Sequence, residues 1–384
     1  MRSSFSRSIL QYAYFVLELS WVYLLMFLVH VSFSPPIGLV FELLSCICVL
    51  AGCYLLTQIR DRYFLWDLSG LILSFTLLFT FKIVPSSFTS IILCLWASFS
   101  IGFGLPTMLS STMASSTFDN RGKIAAFIAL GVSFILALSL TTYSILKLPL
   151  TVLLVILKIL PLALYSVIWP SLTVNFSSDY SVVKEKKFLS ALFLAWLSFM
   201  MIDYLAAYNL RLIYGTSFME SYVRLLNVIL SLALLPVIGY LFDRYGRRPF
   251  IIASYVALGF EYAFISAYKE AIVFYPAFES FAWSTLTVFF IFVVWSDVSP
   301  PEVRRKLYAL GFIPVFLGRF SERLFEFLEL SFRRYELYPF VSMFMFMVAA
   351  LLLFIPETLP TSVIERRRMI SYIKKAKKLK EHYR

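Results

Sequence analysis

Gly239-Tyr240-Leu241-Phe242-Asp243-Arg244-Tyr245-Gly246-Arg247-Arg248-Pro249 is a polar hinge set between two apolar runs. The flanking runs, residues 222–242 and 250–268, suit lipid, so an Asp and three Arg between them belong at a membrane surface. The turn is short, and Gly246 is its natural pivot because glycine alone takes left-handed backbone without strain.

Working outward, 60% hydrophobic content with 15% charge over 384 residues places the chain in the membrane class. Each crossing of a core about 30 Å thick needs about 20 apolar residues. Twelve runs qualify: 9–32, 37–57, 64–84, 88–110, 124–146, 149–171, 188–209, 221–242, 249–268, 271–296, 306–330 and 337–356. Lipid admits only helices or closed barrels, and runs of this length without strict alternation are helices. The first run is too long for a cleaved signal peptide and no small-residue cleavage site follows it. The expected fold is an all-α integral membrane protein with twelve transmembrane helices.

A formal charge of +12 does not point to nucleic acid, because the basic residues are not spread over a folded surface. Segments on the side of the amino terminus carry 24 Lys and Arg against six in the opposite loops, which places both termini in the cytoplasm. The polar stretch 174–187 is the evident seam between a first half, 1–173, and a second, 188–358, with a basic tail over 359–384. That tail is either a ligand for anionic headgroups or a solvated topogenic segment.

The hinge resembles the signature loop of the major facilitator superfamily, Gly-x-Leu-x-Asp-Arg-x-Gly-Arg-Arg between the eighth and ninth helices, with Gly239, Asp243, Arg244, Gly246, Arg247 and Arg248 in place. After span ten, Asp297, Pro300 and Arg304 are similar to the Glu-x-x-Pro-x-x-x-Arg loop of the sugar-porter branch, Asp297 standing where that branch has Glu, with Glu302 between them. Pro356-Glu357-Thr358 matches the end of that branch's twelfth helix. The first half departs further. Asp61-Arg62-Tyr63 is followed by Phe64 at the glycine position, and Asn120-Arg121-Gly122-Lys123 has Ala114 and Thr117 at the family's Glu and Pro positions. Span seven reads Met200-Met201-Ile202-Asp203 where sugar binders have a glutamine pair, and span five has Gly131 but no Gly-Pro antiporter signature.

The resemblance implies two six-helix halves related by an axis along the membrane normal, and a monomer in the plasma membrane that moves a small polar solute by alternating access with protons. It implies a gating role for the hinge. Asp243 is expected to cap or pair with the start of span eleven, and Arg247, Arg248 and Arg304 to bridge to Asp297 and Glu302. A transport-incompetent relative serving as receptor or scaffold is the alternative, favoured by the degenerate first-half motif and by only 13 glycines for twelve packed helices.

His30 and His382 are the only histidines and there is no Walker-type loop, so no metal, cofactor or enzymatic chemistry is expected and work must come from gradients. Cys46, Cys48, Cys53 and Cys94 fall inside spans and read as buried apolar thiols, with metal or disulfide roles open. Charge within the spans is the functional signal. On span eleven Arg319, Glu322, Arg323, Glu326 and Glu329 share one face, an arc of roughly 120°. The arginines can pair with Glu322 and Glu326 at three-residue spacing, either as a closed network or as a gate that contacts substrate. Asp203 and Glu279 reach a similar depth. Glu18, about 14 Å into span one, has no cation within a helical turn; it reads as a proton carrier or as a partner of Arg319. Glu42 and Arg224 lie near outer ends and are expected to snorkel, while Lys158 and Glu261 are expected in structural pairs.

Overall fold

The computed structural model of the chain describes residues 2–55, 62–80, 87–172, 186–328, 330 and 335–360, and residues 362–366, 369, 370, 372, 373 and 376 of the tail. Arg60 and Asp61, Glu329, and residues 174–185 of the seam lie outside the described residues.

Twelve long helices run through the described residues. They are α1 (Arg2–Ser32), α2 (Pro35–Leu55), α3 (Arg62–Thr80), α4 (Ser87–Ala114), α5 (Arg121–Leu146) and α6 (Leu150–Leu172), then α7 (Lys186–Tyr214), α8 (Thr216–Tyr245), α9 (Arg248–Ala267), α10 (Tyr275–Asp297), α11 (Pro301–Phe327) and α12 (Tyr338–Leu352). Ten are long and apolar enough to cross a membrane; α6 is apolar over the shorter stretch Leu150–Tyr165, and the charges of α11 take it below that standard. The main difference from the sequence-based spans is at the α7–α8 junction. Both helices extend towards each other until Gly215 alone separates them, its φ of +89° turning the chain in one residue. α8 and α10 each contain a π-helical turn, over Met219–Val223 and Val288–Val293.

In the first half α1 packs on α5 and α6, α2 on α4, and α3 on α4 and α6; in the second, α7 packs on α11, α8 on α10, and α9 on α10 and α12. Contacts between these groups run through α2–α11, α5–α8, α4–α11 and α5–α10. Polar and bulky aromatic groups are drawn inward, with Trp21, Trp66, Trp196 and Trp295 fully buried, while Phe79, Phe127, Phe134 and Phe340 project outward as a lipid-facing surface.

The few glycines sit where helices touch. A Cβ on Gly102 of α4 would fall 2.3 Å from the Cys48 carbonyl carbon of α2, and one on Gly52 would fall 2.2 Å from the Gly102 carbonyl oxygen. Between the halves, Gly239 of α8 faces the Gly122 carbonyl of α5 in the same way, at 2.7 Å. Placement therefore supplies the close approach that glycine abundance does in other bundles. Gly102→Leu has backbone as its obstacle and no side chain that can yield, so it should destabilise by about 1–3 kcal/mol or more. Thermal unfolding of the purified protein in detergent should show a lower midpoint than for Phe99→Leu on the lipid-facing side of the same helix; equal midpoints would contradict this packing.

Candidate functional site

Asp297 ends α10 at the face that carries the hinge. Its Oδ1 accepts a bond of 2.6 Å from Arg121 Nη1 at the start of α5, and its Oδ2 pairs with Arg247 of the α8–α9 turn; all three side chains are fully buried. Arg121 is steadied by Ser116 Oγ, 3.0 Å from its Nε, and by the Phe118 ring, 4.9 Å away. Of the expected bridges, only Arg247 reaches Asp297. Arg248 donates to the Leu353 carbonyl at the end of α12, Arg304 donates to the Ser299 carbonyl at 3.3 Å, and Glu302 is exposed in the first turn of α11. Arg244 is exposed and bonds Tyr240 one turn back.

Asp243 corrects another expectation. Its oxygens accept the backbone N–H groups of Gly122 at 2.8 Å and Lys123 at 2.9 Å, so it caps α5, not α11. The reason is the Gly239–Gly122 contact: with α8 lying this close along α5, a carboxylate one turn on from Gly239 meets the positive end of α5. Glu357 plays the matching part at α9, accepting the N–H groups of Arg247 and Arg248 at 3.0 Å. Gly246 is held by this arrangement twice over. Its φ is +96°, and a Cβ there would lie 2.7 Å from Glu357 Oε2.

Glu18 is not the isolated carboxylate that its local sequence suggests. Lys158 of α6 reaches it directly and also lies 3.2 Å from Asp67 of α3, with every group fully buried. Trp21 and Trp66 flank the ammonium at 4.3 and 4.2 Å, and Tyr14 donates to Asp67 at 2.8 Å. The partner stands 140 residues away in the chain, so a search within one helical turn misses it. Arg319 pairs elsewhere.

Towards the opposite face, a cavity of about 360 Å³ opens between α1, α7, α8, α10 and α11. Its wall brings together Asp203, Glu279, Arg319 and Glu322 with Arg211 and Arg224, residues that are scattered over the second half of the sequence. The pairing on α11 differs from the three-residue scheme: only Arg323–Glu326, at 3.7 Å, follows it. Glu322 takes Arg211 of α7, and Arg319 takes Glu42 of α2 at 2.8 Å and donates to the Met26 carbonyl of α1 at 2.9 Å. Arg323 also donates to the His30 carbonyl near the end of α1. Glu42 is therefore a buried partner and does not snorkel. Arg224 rests on the Phe27 ring at 5.3 Å. Asp203 accepts hydrogen bonds from Tyr262 at 3.0 Å and Trp283 at 3.1 Å.

A second cavity, of about 240 Å³, lies deeper between α1, α5, α8 and α10 and is lined by Tyr23, Ser133, Ser231, Ser284 and Thr287. Trp283 borders both. Ligand atoms of His30, Glu322 and Glu326 lie within 4.8 Å of one another, but Arg211 and Arg323 occupy the two carboxylates, and these residues are assigned no metal.

The Lys158 site makes a direct stability test, since Lys158→Met strands two buried carboxylates. A loss of about 3–5 kcal/mol is expected, read as a lowered unfolding midpoint or failure to recover a monodisperse protein. Glu18→Gln with Lys158→Met should recover part of that loss; a Lys158→Met protein as stable as the parent would contradict the pairing.

No protein-family model matches the chain. No curated protein matches it either. Solved structures do. The proton:xylose symporter XylE bound to 6-bromo-6-deoxy-D-glucose superposes with a TM-score of 0.65 at 14% identity, covering 93% of this chain and 97% of that one. The human organic anion transporter MFSD10 (TETRAN) gives 0.66 at 12% identity, covering 90% and 98%. A XylE variant with two tryptophan substitutions gives 0.62 at 13% identity, covering 96% and 99%. With nine-tenths or more of the chain superposing on these structures, this protein has the major facilitator fold.

Proposed function

We propose that the chain is a secondary active transporter that moves a small polar solute through the larger cavity by alternating access, coupled to protons. The observation that carries this reading is an asymmetry. One face is shut by Asp297 with Arg121 and Arg247, while a cavity walled by charges of both signs lies towards the other. A solute-sized cavity open towards one face, with a buried ion cluster closing the other, is what an alternating-access cycle requires.

In this reading residues 1–173 and 188–358 are the two moving bodies. The hinge face is cytoplasmic, on the basic-residue asymmetry, and the state described is outward-facing. Arg319–Glu42 and the Arg323 bond to α1 join the bodies on the outer side, and they and the Asp297 cluster exchange dominance during the cycle. Trp283, shared by both cavities, stands on the route between them. Two of the solved structures with this fold are a proton:xylose symporter and an organic anion transporter, so the architecture accommodates both proton coupling and chemically different solutes. The membrane assigned is the plasma membrane and the working unit a monomer.

Two measurements check this reading. In a cysteine-free version, a single cysteine at Ser217 should be labelled from outside sealed vesicles and one at Thr117 only from the cytoplasmic side; the reverse pattern would overturn the orientation. Uptake into proteoliposomes of labelled sugars, amino acids and organic anions should exceed the empty-vesicle background for at least one class and rise with an imposed pH gradient. No uptake or exchange of any class by the folded protein would favour the receptor or scaffold reading.

A further inference from the structure

Behind the cavity wall lies a group of acids that the ion pairs above do not account for. Glu261 of α9 is only 2% exposed, and neither carboxylate oxygen has a hydrogen-bond partner. Glu279 of α10 is also buried, with its Oε2 unpartnered. The Glu279 and Asp203 carboxyls share the cavity wall and interact with each other, and the charged groups that act on Glu261 are these same two acids.

Among the described residues no cation pairs with these acids. From α7 come Asp203 and Asn209, which donates to Tyr338 at 3.0 Å; from α9 itself Tyr262; from α10 Tyr275 and Glu279; and from α12 Tyr338, stacked on Tyr262 at 5.9 Å. The nearest guanidiniums on the cavity wall are committed elsewhere, Arg211 to Glu322 and Arg319 to Glu42, while Arg224 lies on Phe27. Among the described residues none of the three acids has an ion pair.

Two carboxyl oxygens can hydrogen-bond to each other only when one carries a proton. Three unpaired anions in a membrane interior would each carry a desolvation cost, before their mutual repulsion. The group therefore needs protons to exist in this geometry. Asp203 and Glu279 border the cavity, whereas Glu261 does not, so the acids lead from a wet wall into a closed interior. Trp283 donates to Asp203 and also borders the deeper cavity, so the charge on Asp203 sets how firmly that indole is held.

We propose that Asp203, Glu279 and Glu261 form a proton-loading chain, entered from the cavity and ending at Glu261, that holds the coupling proton of the transport cycle. This rests on the transporter reading. It moves the coupling proton away from Glu18, which Lys158 already engages. When the chain is loaded, Asp203 and Glu279 share a hydrogen bond and Glu261 is neutral; when a proton leaves to the cavity, Asp203 becomes a charged acceptor for Tyr262 and Trp283. A cation arriving with the solute would then find an anionic wall.

The test needs no known solute. Infrared difference spectra of the full chain in lipid nanodiscs, titrated from about pH 5 to about pH 9, report the carbonyl stretch of protonated carboxyl groups. The wild type should show such a band falling with rising pH. Glu261→Gln should remove about a third of the titrating amplitude assigned to the three acids and displace the midpoint of the remainder, because coupled groups titrate as a set. Glu261→Asp should restore the band. A Glu261→Gln spectrum that superimposes on the wild type at every pH overturns the proposal. Should that variant not fold, Glu279→Gln decides, since it borders the Glu261 carboxyl and must also cut the amplitude; an unchanged titration there overturns the chain equally. An intact titration in a protein that moves no solute would count against the transport reading alone.

Discussion

One buried carboxylate holds the two parts of this protein together at the hinge face. Asp297 lies between Arg121 and Arg247, and without it two buried guanidiniums would lose the carboxylate they share, a loss of about 3–5 kcal/mol in comparable buried pairs. The neighbouring contacts depend on the same closure. Gly239 can lie on Gly122 only while α5 and α8 are drawn together, and only then does Asp243 reach the first N–H groups of α5. Glu357 fixes the turn that presents Arg247. The cluster is thus the shared condition for several weaker contacts, which makes closure at this face cooperative.

The remaining buried charges fall into groups by what they join. Glu18, Asp67 and Lys158 tie α1, α3 and α6 within the first half, and nothing in a relative movement of the halves need disturb them. Arg319 with Glu42 and Arg323 with the end of α1 cross between the halves, as Arg121 with Asp297 does at the other face. Among the described residues Asp203, Glu279 and Glu261 form no ion pair, and the proposed chain gives them protons instead. The proposed structural, gating and proton-binding roles thus differ by partner, although the residue types and burial are alike.

Much of the fold was legible in the sequence because lipid imposes a strong rule: long apolar runs must be helices, and eleven hinge residues located the α8–α9 turn. Helix ends were less legible, since Gly215 lets α7 and α8 extend to a one-residue turn that hydropathy cannot register. Local spacing misled wherever a partner came from another helix. Glu18 seemed alone because Lys158 is remote in sequence, and the expected α11 pairs gave way to Glu42 and Arg211, which packing brings closer. Arg121 was visible only within a degenerate first-half loop that has Ala114 and Thr117 at the family's Glu and Pro positions; its burial opposite Asp297 is a tertiary fact. Glu261 carried one available signal, a lone acid in the middle of an apolar span, but its neighbours are two further acids and no cation.

The central claim is that the Asp297 cluster holds the hinge face shut in an equilibrium between two access states. Spin labels on cysteines replacing Thr117, in the α4–α5 turn, and Val303, in the first turn of α11, would report the separation across that face by pulsed dipolar spectroscopy. The account expects one short distance in the parent protein, and in Asp297→Asn a second, longer distance gaining a substantial share, as a bias of a few kcal/mol is removed. A folded Asp297→Asn protein with the parental distance distribution would contradict it.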